Sequence, residues 1–95
     1  MRGGLAIRFT EKFERDYKAL SPDIRKAVDE CLAEFVRDPL PPGRRPHSVT
    51  SRERKPTIFT MDVTSNKSHK LSFQIEGLVA TLRRIGTHKE LDRSP

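Results

Sequence analysis

Apolar positions recur with two different periods along the chain, and the change of period separates a helical half from a sheet half. A short apolar stretch, Leu5 to Phe9, reads as a first strand. Thr10 then has the side chain to cap a helix in which Phe13, Tyr17 and Leu20 recur on one face. Ser21-Pro22 restarts the chain, since serine is a favoured N-cap and proline is tolerated at the first helical position. Ile24, Ala27, Val28, Cys31 and Phe35 form the stripe of a second helix ending near Arg37. Both stripes need a surface to bury against, which predicts a helix hairpin lying on a sheet from the second half.

Between the halves, Asp38-Pro39-Leu40-Pro41-Pro42-Gly43-Arg44-Arg45-Pro46 reads as a surface loop, because proline removes backbone donors and fixes φ. From Thr57 the period becomes two. Phe59, Met61 and Val63 alternate with Ile58, Thr60 and Asp62, Ser65 to Ser68 supply turn residues, and Leu71, Phe73 and Ile75 alternate with Lys70, Ser72 and Gln74. Glu76-Gly77 makes a further turn before a strand from Leu78 to Ile85, giving an antiparallel meander with one apolar and one polar face. Thr87 and Glu90 have the S/T-x-x-E spacing of a capping box, so a short last helix starts at His88. The prediction is an α+β fold in one domain, 1–95. It comprises an N-terminal strand, a helix hairpin packed on a small antiparallel sheet of about four strands, and a short C-terminal helical turn.

Composition sharpens this picture. A 95-residue chain has room for one small core, and 19 Lys plus Arg against 13 Asp plus Glu give a net charge of +6. Such a balance favours a polyanionic partner, nucleic acid first, or an acidic protein. There is no signal-peptide h-region and no apolar run of membrane-spanning length, so a cytoplasmic protein is expected, with no membrane partner. Cys31 is in phase with the core stripe and reads as a small core residue. His47, His69 and His88 are far apart and no HxxxH or CxxC occurs, so neither a metal nor another cofactor is expected.

The chemistry-bearing residues cluster near the end, where Arg83-Arg84-Ile85-Gly86-Thr87-His88 leads into the last helix. Guanidinium groups beside an imidazole can hold a phosphate and handle its protons. The plainer alternative is a solvated strand edge with His88 in a capping turn. Arg83 and Arg84 have opposite strand parity, so one of the two is expected to face solvent or a partner. Arg44, Arg45 and His47 lie in or beside the stiff loop, which either presents them to a ligand or merely crosses from helix to sheet. His69 shares parity with Leu71 and Phe73 and reads as a half-buried strand-edge residue.

The order strand, helix hairpin, proline-containing loop and three-stranded meander, with FTEKFERDYKAL at the start, HKLSFQI in the middle strand and RRIGTHKEL at the end, resembles the RelE/ParE superfamily of bacterial toxins. The likeness is strongest to the YafQ-like and RelE/StbE-like ribonucleases, and Arg-x-Gly-Thr-His is its most specific element. The resemblance implies a toxin of a type II toxin-antitoxin system: an mRNA endoribonuclease that enters the ribosomal A site, works without metal and is neutralised by a cognate antitoxin. Its partners would be that antitoxin, mRNA and ribosomal RNA. His88 matches the motif histidine and would be the general acid, or acid and base both; Arg84 matches the motif arginine and would grip the scissile phosphate. Lys70 falls where many relatives carry a strand arginine, and it keeps the charge without the planar fork. His47 lies in the loop where YafQ-like proteins also place a histidine; with Arg83, Arg44 and Arg45 it makes up the expected substrate-binding set. Asp92 stands in place of a base-contacting aromatic and would repel RNA. Two other readings stay open: a ParE-like gyrase poison, which usually lacks the motif histidine, and a degenerate homologue that binds antitoxin without activity.

Overall fold

The structure, a computed structural model, describes residues 6–37, 44, 46–48, 57–64 and 66–94. Among these described residues, five strands and three helices follow the order β1 (Ala6–Phe9), α1 (Glu11–Ala19), α2 (Pro22–Arg37), β2 (His47–Ser48), β3 (Ile58–Asp62), β4 (His69–Glu76), β5 (Val79–Thr87) and α3 (His88–Arg93). Leu5, Ser65 and most of the proline-rich segment lie outside the described residues.

The helix hairpin forms for the local reasons that the sequence suggests. Thr10 takes an extended conformation and accepts the Phe13 N–H at 3.0 Å, capping α1, while its own hydroxyl donates to the Arg83 carbonyl at 2.8 Å. One residue therefore both starts the helix and ties it to β5. Ser21 accepts the Ile24 N–H ahead of α2, whose Val28, Cys31 and Phe35 are fully buried. They meet Met61, Leu71, Phe73, Ala80, Leu82 and Ile85 from the sheet. Phe35 stands edge-on to Phe73 at 4.8 Å, and Phe73 stacks on Phe59 at 5.4 Å.

The sheet has the order β1-β5-β4-β3-β2. Strands β3, β4 and β5 are the antiparallel meander, but β1 pairs with β5 in parallel, so the sheet is mixed. The two-residue β2 adds a fifth strand, His47 opposite Thr60 and Ser48 opposite Phe59, where the sequence indicates only loop. A bulge interrupts the β4–β5 ladder: Phe73 pairs with Leu82 and Ser72 with Arg84, leaving Arg83 as the extra residue. Leu82 and Ile85, three apart, both reach the core, so simple parity does not describe the two arginines.

The polar face of the sheet is itself covered: Thr60, Asp62, Lys70 and Ser72 are all buried. α3 lies over part of it, with Leu91 buried and Gly86, opposite Lys70, in close contact. The capping box of α3 is complete, since Thr87 Oγ1 accepts the Glu90 N–H and Glu90 Oε1 accepts the Thr87 N–H at 2.8 Å. The Thr87 N–H, and after it the Thr87 hydroxyl donating at 3.1 Å, hold the Glu90 carboxyl below its ordinary range. Among the described residues no helix is long and apolar enough to cross a membrane.

Candidate active site

Strand register brings several of the expected site residues onto one face. Arg84 of β5 is opposite Ser72 of β4, Ser72 is opposite Thr60 of β3, and Thr60 is opposite His47 of β2. The next row on that face is Gly86, Lys70 and Asp62. Neighbouring strands are about 4.8 Å apart, so Arg84 and Lys70 are near neighbours whereas His47 stands three strands away from Arg84. Of His47 only this backbone position is described, and Arg45 lies outside the described residues. His88 follows directly where β5 ends, and its N–H donates to the Ser68 carbonyl at 3.3 Å.

Each of the three residues assigned to catalysis has a carboxylate partner. Arg84 donates from Nε to Asp16 Oδ2 at 3.2 Å and from Nη2 to Asp16 Oδ1 at 3.4 Å, while Nη1 reaches the Ser94 carbonyl at 3.3 Å. Lys70 Nζ stands 3.8 Å from Asp62 Oδ1, both side chains almost closed off from solvent. His88 Nε2 lies 3.0 Å from Asp92 Oδ2, one helical turn on, with the imidazole about half exposed. Asp92, which the resemblance marks as a departure, is thus the partner of the proposed acid.

The expected substrate-binding arginines are placed less openly. Arg83 donates from Nη1 to Gln74 Oε1 at 2.6 Å, and its buried Nε has no partner among the described residues. Arg44 is turned inward: Nη2 bonds Glu34, and Nη1 donates to the Val63 carbonyl at 2.8 Å and the Asp62 carbonyl at 3.4 Å. It fastens α2 to the end of β3 and is not presented to a ligand, because two carbonyls and a carboxylate take its Nη donors and its Nε is buried. The same hydrogen bond holds the Glu34 carboxyl below its ordinary range. His69 is half-buried at the start of β4, with Nδ1 at 2.8 Å from Ser68 Oγ. Burial pushes the Cys31 thiol up to about 11, so it has no nucleophilic character.

Sequence reasoning missed Asp16, Asp62 and Ser72 as members of this region. Asp62 was legible, since the hairpin register puts it opposite Lys70. Asp16 reads only as part of the polar face of α1. Ser72 is fully buried beside Arg84, and its Oγ has no partner among the described residues. A separate apolar groove of about 330 Å³ runs between α1 and α2, lined by Phe9, Phe13, Tyr17 and Leu32 with Glu14, Lys18 and Asp29 at its polar positions. Phe9 is about half exposed there.

No protein-family model and no curated protein matches the chain. Solved structures do. The chain superposes on YafQ from E. coli strain BL21(DE3) with a TM-score of 0.71 at 16% identity, over 92% of this chain and 97% of that one. It is equally similar to the archaeal RelE of the RelE-RelB complex from Pyrococcus horikoshii OT3, TM-score 0.71 at 6% identity, over 87% and 93% of the two chains. The E. coli DinJ-YafQ toxin-antitoxin complex gives a TM-score of 0.71 at 14% identity, over 92% and 96%. The chain has the RelE/YafQ-like toxin fold along most of its length.

Proposed function

We propose that this chain is the toxin of a type II toxin-antitoxin system and an endoribonuclease that cuts mRNA on the ribosome. The observation that supports this reading best is the cation pair Arg84 and Lys70 on one sheet face, with a half-exposed His88 where β5 ends, in a fold shared with YafQ and RelE. In the reaction, the ribose 2′-hydroxyl gives its proton to solvent water and its oxygen forms a bond to the adjacent phosphorus as the bond from phosphorus to the 5′-oxygen breaks, leaving a 2′,3′-cyclic phosphate. His88 donates the proton that the departing 5′-oxygen needs. Asp92 takes Nε2, which leaves Nδ1 as the nitrogen open to a substrate. Arg84 neutralises the non-bridging oxygens, where charge builds up in the transition state, and Lys70 joins it only on leaving the buried Asp62.

The antitoxin is the second partner of this reading. An amphipathic antitoxin segment would fill the groove at Phe9, Phe13, Tyr17 and Leu32, laying its apolar side on those rings. Such a partner also suits the net charge of +6, because an acidic chain would be steered to it.

One observation favours a second reading. All three proposed catalytic groups already have carboxylate partners, which suits a homologue that binds antitoxin but has lost activity. Overexpression separates the readings. Growth arrest with loss of message supports the endoribonuclease, a DNA-damage response with intact message points to gyrase, and unhindered growth supports the inactive homologue.

A further inference from the structure

Asp16 holds the guanidinium of Arg84 in a specific way. An arginine fork carries five N–H donors, two of which, on Nε and one Nη, form its side edge. The Asp16 carboxylate takes that side edge, at 3.2 Å to Nε and 3.4 Å to Nη2. Its Oδ2 also accepts the backbone N–H of Ile85 at 3.0 Å. The location explains why a side chain is needed there: β1 has ended, with the Thr10 N–H on the Leu82 carbonyl as its last backbone link, and on that edge β5 continues without a strand beside it. Asp16 supplies the acceptor that a further residue of β1 would have supplied. The carboxylate is thereby fixed by the backbone, and it fixes Arg84 in turn, with the two side chains only 16% and 18% exposed.

What remains of the fork is its end, Nη1 and Nη2. Among the described residues its one hydrogen bond beyond Asp16 is to the neutral Ser94 carbonyl at 3.3 Å. A phosphate oxygen is charged and makes a stronger, shorter bond to a guanidinium than a carbonyl does. We propose that Asp16 is a positioning residue: it clamps the side edge of Arg84 so that the Nη end is presented to a phosphate oxygen of RNA, which replaces the Ser94 carbonyl. The assignment rests on the reading of Arg84 as a phosphate ligand. A carboxylate that merely competed with phosphate would lie across the Nη end and would have no use for the Ile85 N–H.

The test is side-chain NMR of the arginines in the full chain, with Arg84 assigned by Arg84→Lys, during titration with a short single-stranded RNA carrying 2′-O-methyl groups so that it cannot be cut. In the wild type the RNA shifts the Arg84 Nη signals and leaves its Nε–H protected by Asp16. Asp16→Asn weakens RNA binding about tenfold or more, since the fork is no longer aimed, and Asp16→Glu recovers part of the loss. Binding that leaves Arg84 unmoved, or no binding at all, overturns the proposal in the wild type alone, whatever the variants do to folding. Equal or tighter binding by a folded Asp16→Asn protein overturns it too and makes the carboxylate a mask. Cleavage is scored separately: a protein that binds RNA through Arg84 yet never cuts a message keeps this assignment and loses the nuclease reading.

Discussion

Gly86→Ala is the sharpest probe of how the sheet carries α3 and its histidine. Gly86 is opposite Lys70 on the face that α3 covers, and a methyl group there would lie 2.9 Å from Glu90 Oε1, 3.0 Å from Leu91 Cδ2 and 3.3 Å from Glu90 Cβ. Real β-carbons essentially never come within 3.0 Å of another heavy atom, so the Glu90 carboxylate must shift, and Leu91 must give by a few tenths of an ångström. Glu90 Oε1 is the acceptor for the Thr87 N–H at 2.8 Å and for Thr87 Oγ1 at 3.1 Å, and swinging it away opens the capping box. Loss of a cap costs about 1 kcal/mol. Crowding the buried Leu91 adds about 1 kcal/mol or more. A total of about 2 kcal/mol lowers the Tm of a domain of this size by roughly 8 to 16 °C. Thermal unfolding followed by circular dichroism measures this, alongside cleavage activity, which falls because His88 moves with α3. Gly77→Ala is the control. Gly77 has φ of +60° with nothing within 4 Å of the added carbon, so it costs about 1 kcal/mol of backbone strain and leaves α3 in place. A Gly86→Ala protein that melts with the wild type, or one that loses stability while keeping full cleavage, would refute the account of α3 docking.

Three further outcomes follow from the same contacts. Lys70→Met leaves Asp62 as a buried unpaired carboxylate and should cost about 3 kcal/mol in urea denaturation, whereas adding Asp62→Leu should restore most of it; two independent, additive losses would contradict the pairing. Cys31, fully buried with its thiol raised to about 11, should resist an aromatic disulfide reagent in the native protein at pH 8 and react once urea unfolds it. Glu34 has its carboxyl lowered from 4.5 by the Arg44 hydrogen bond, so its contribution is present above that value and lost as pH falls through the lower folded value. Denaturation midpoints measured across this acid range should fall less steeply in Glu34→Gln than in the wild type.

Much of the fold is readable from local pattern, and the departures share one cause. The α2 stripe, the β3–β4 alternation and the Thr87–Glu90 capping box all concern residues close in sequence, where spacing alone decides which face is buried. Parallel pairing of β1 with β5 joins Ala6 to Val79, a link that no local period encodes. The bulge at Arg83 is visible afterwards in the three-residue step from Leu82 to Ile85, both core residues, but alternation was the stronger expectation. His47 and Ser48 pair with β3 in spite of the prolines before them, because they lie just beyond Pro46 and need only one edge. At the candidate site the cations were legible as residue types. Their partners were less so: Asp16 and Glu34 meet Arg84 and Arg44 only through tertiary folding, whereas Asp62 follows from hairpin register and Asp92 from helical spacing to His88.

Cleavage of a programmed ribosomal complex by the purified chain in EDTA, with product ends mapped, tests the central claim most directly. The proposed mechanism predicts cuts within the A-site codon that leave a 2′,3′-cyclic phosphate, reduced by about 10² or more in His88→Ala. Message that stays intact with folded wild-type protein would contradict it.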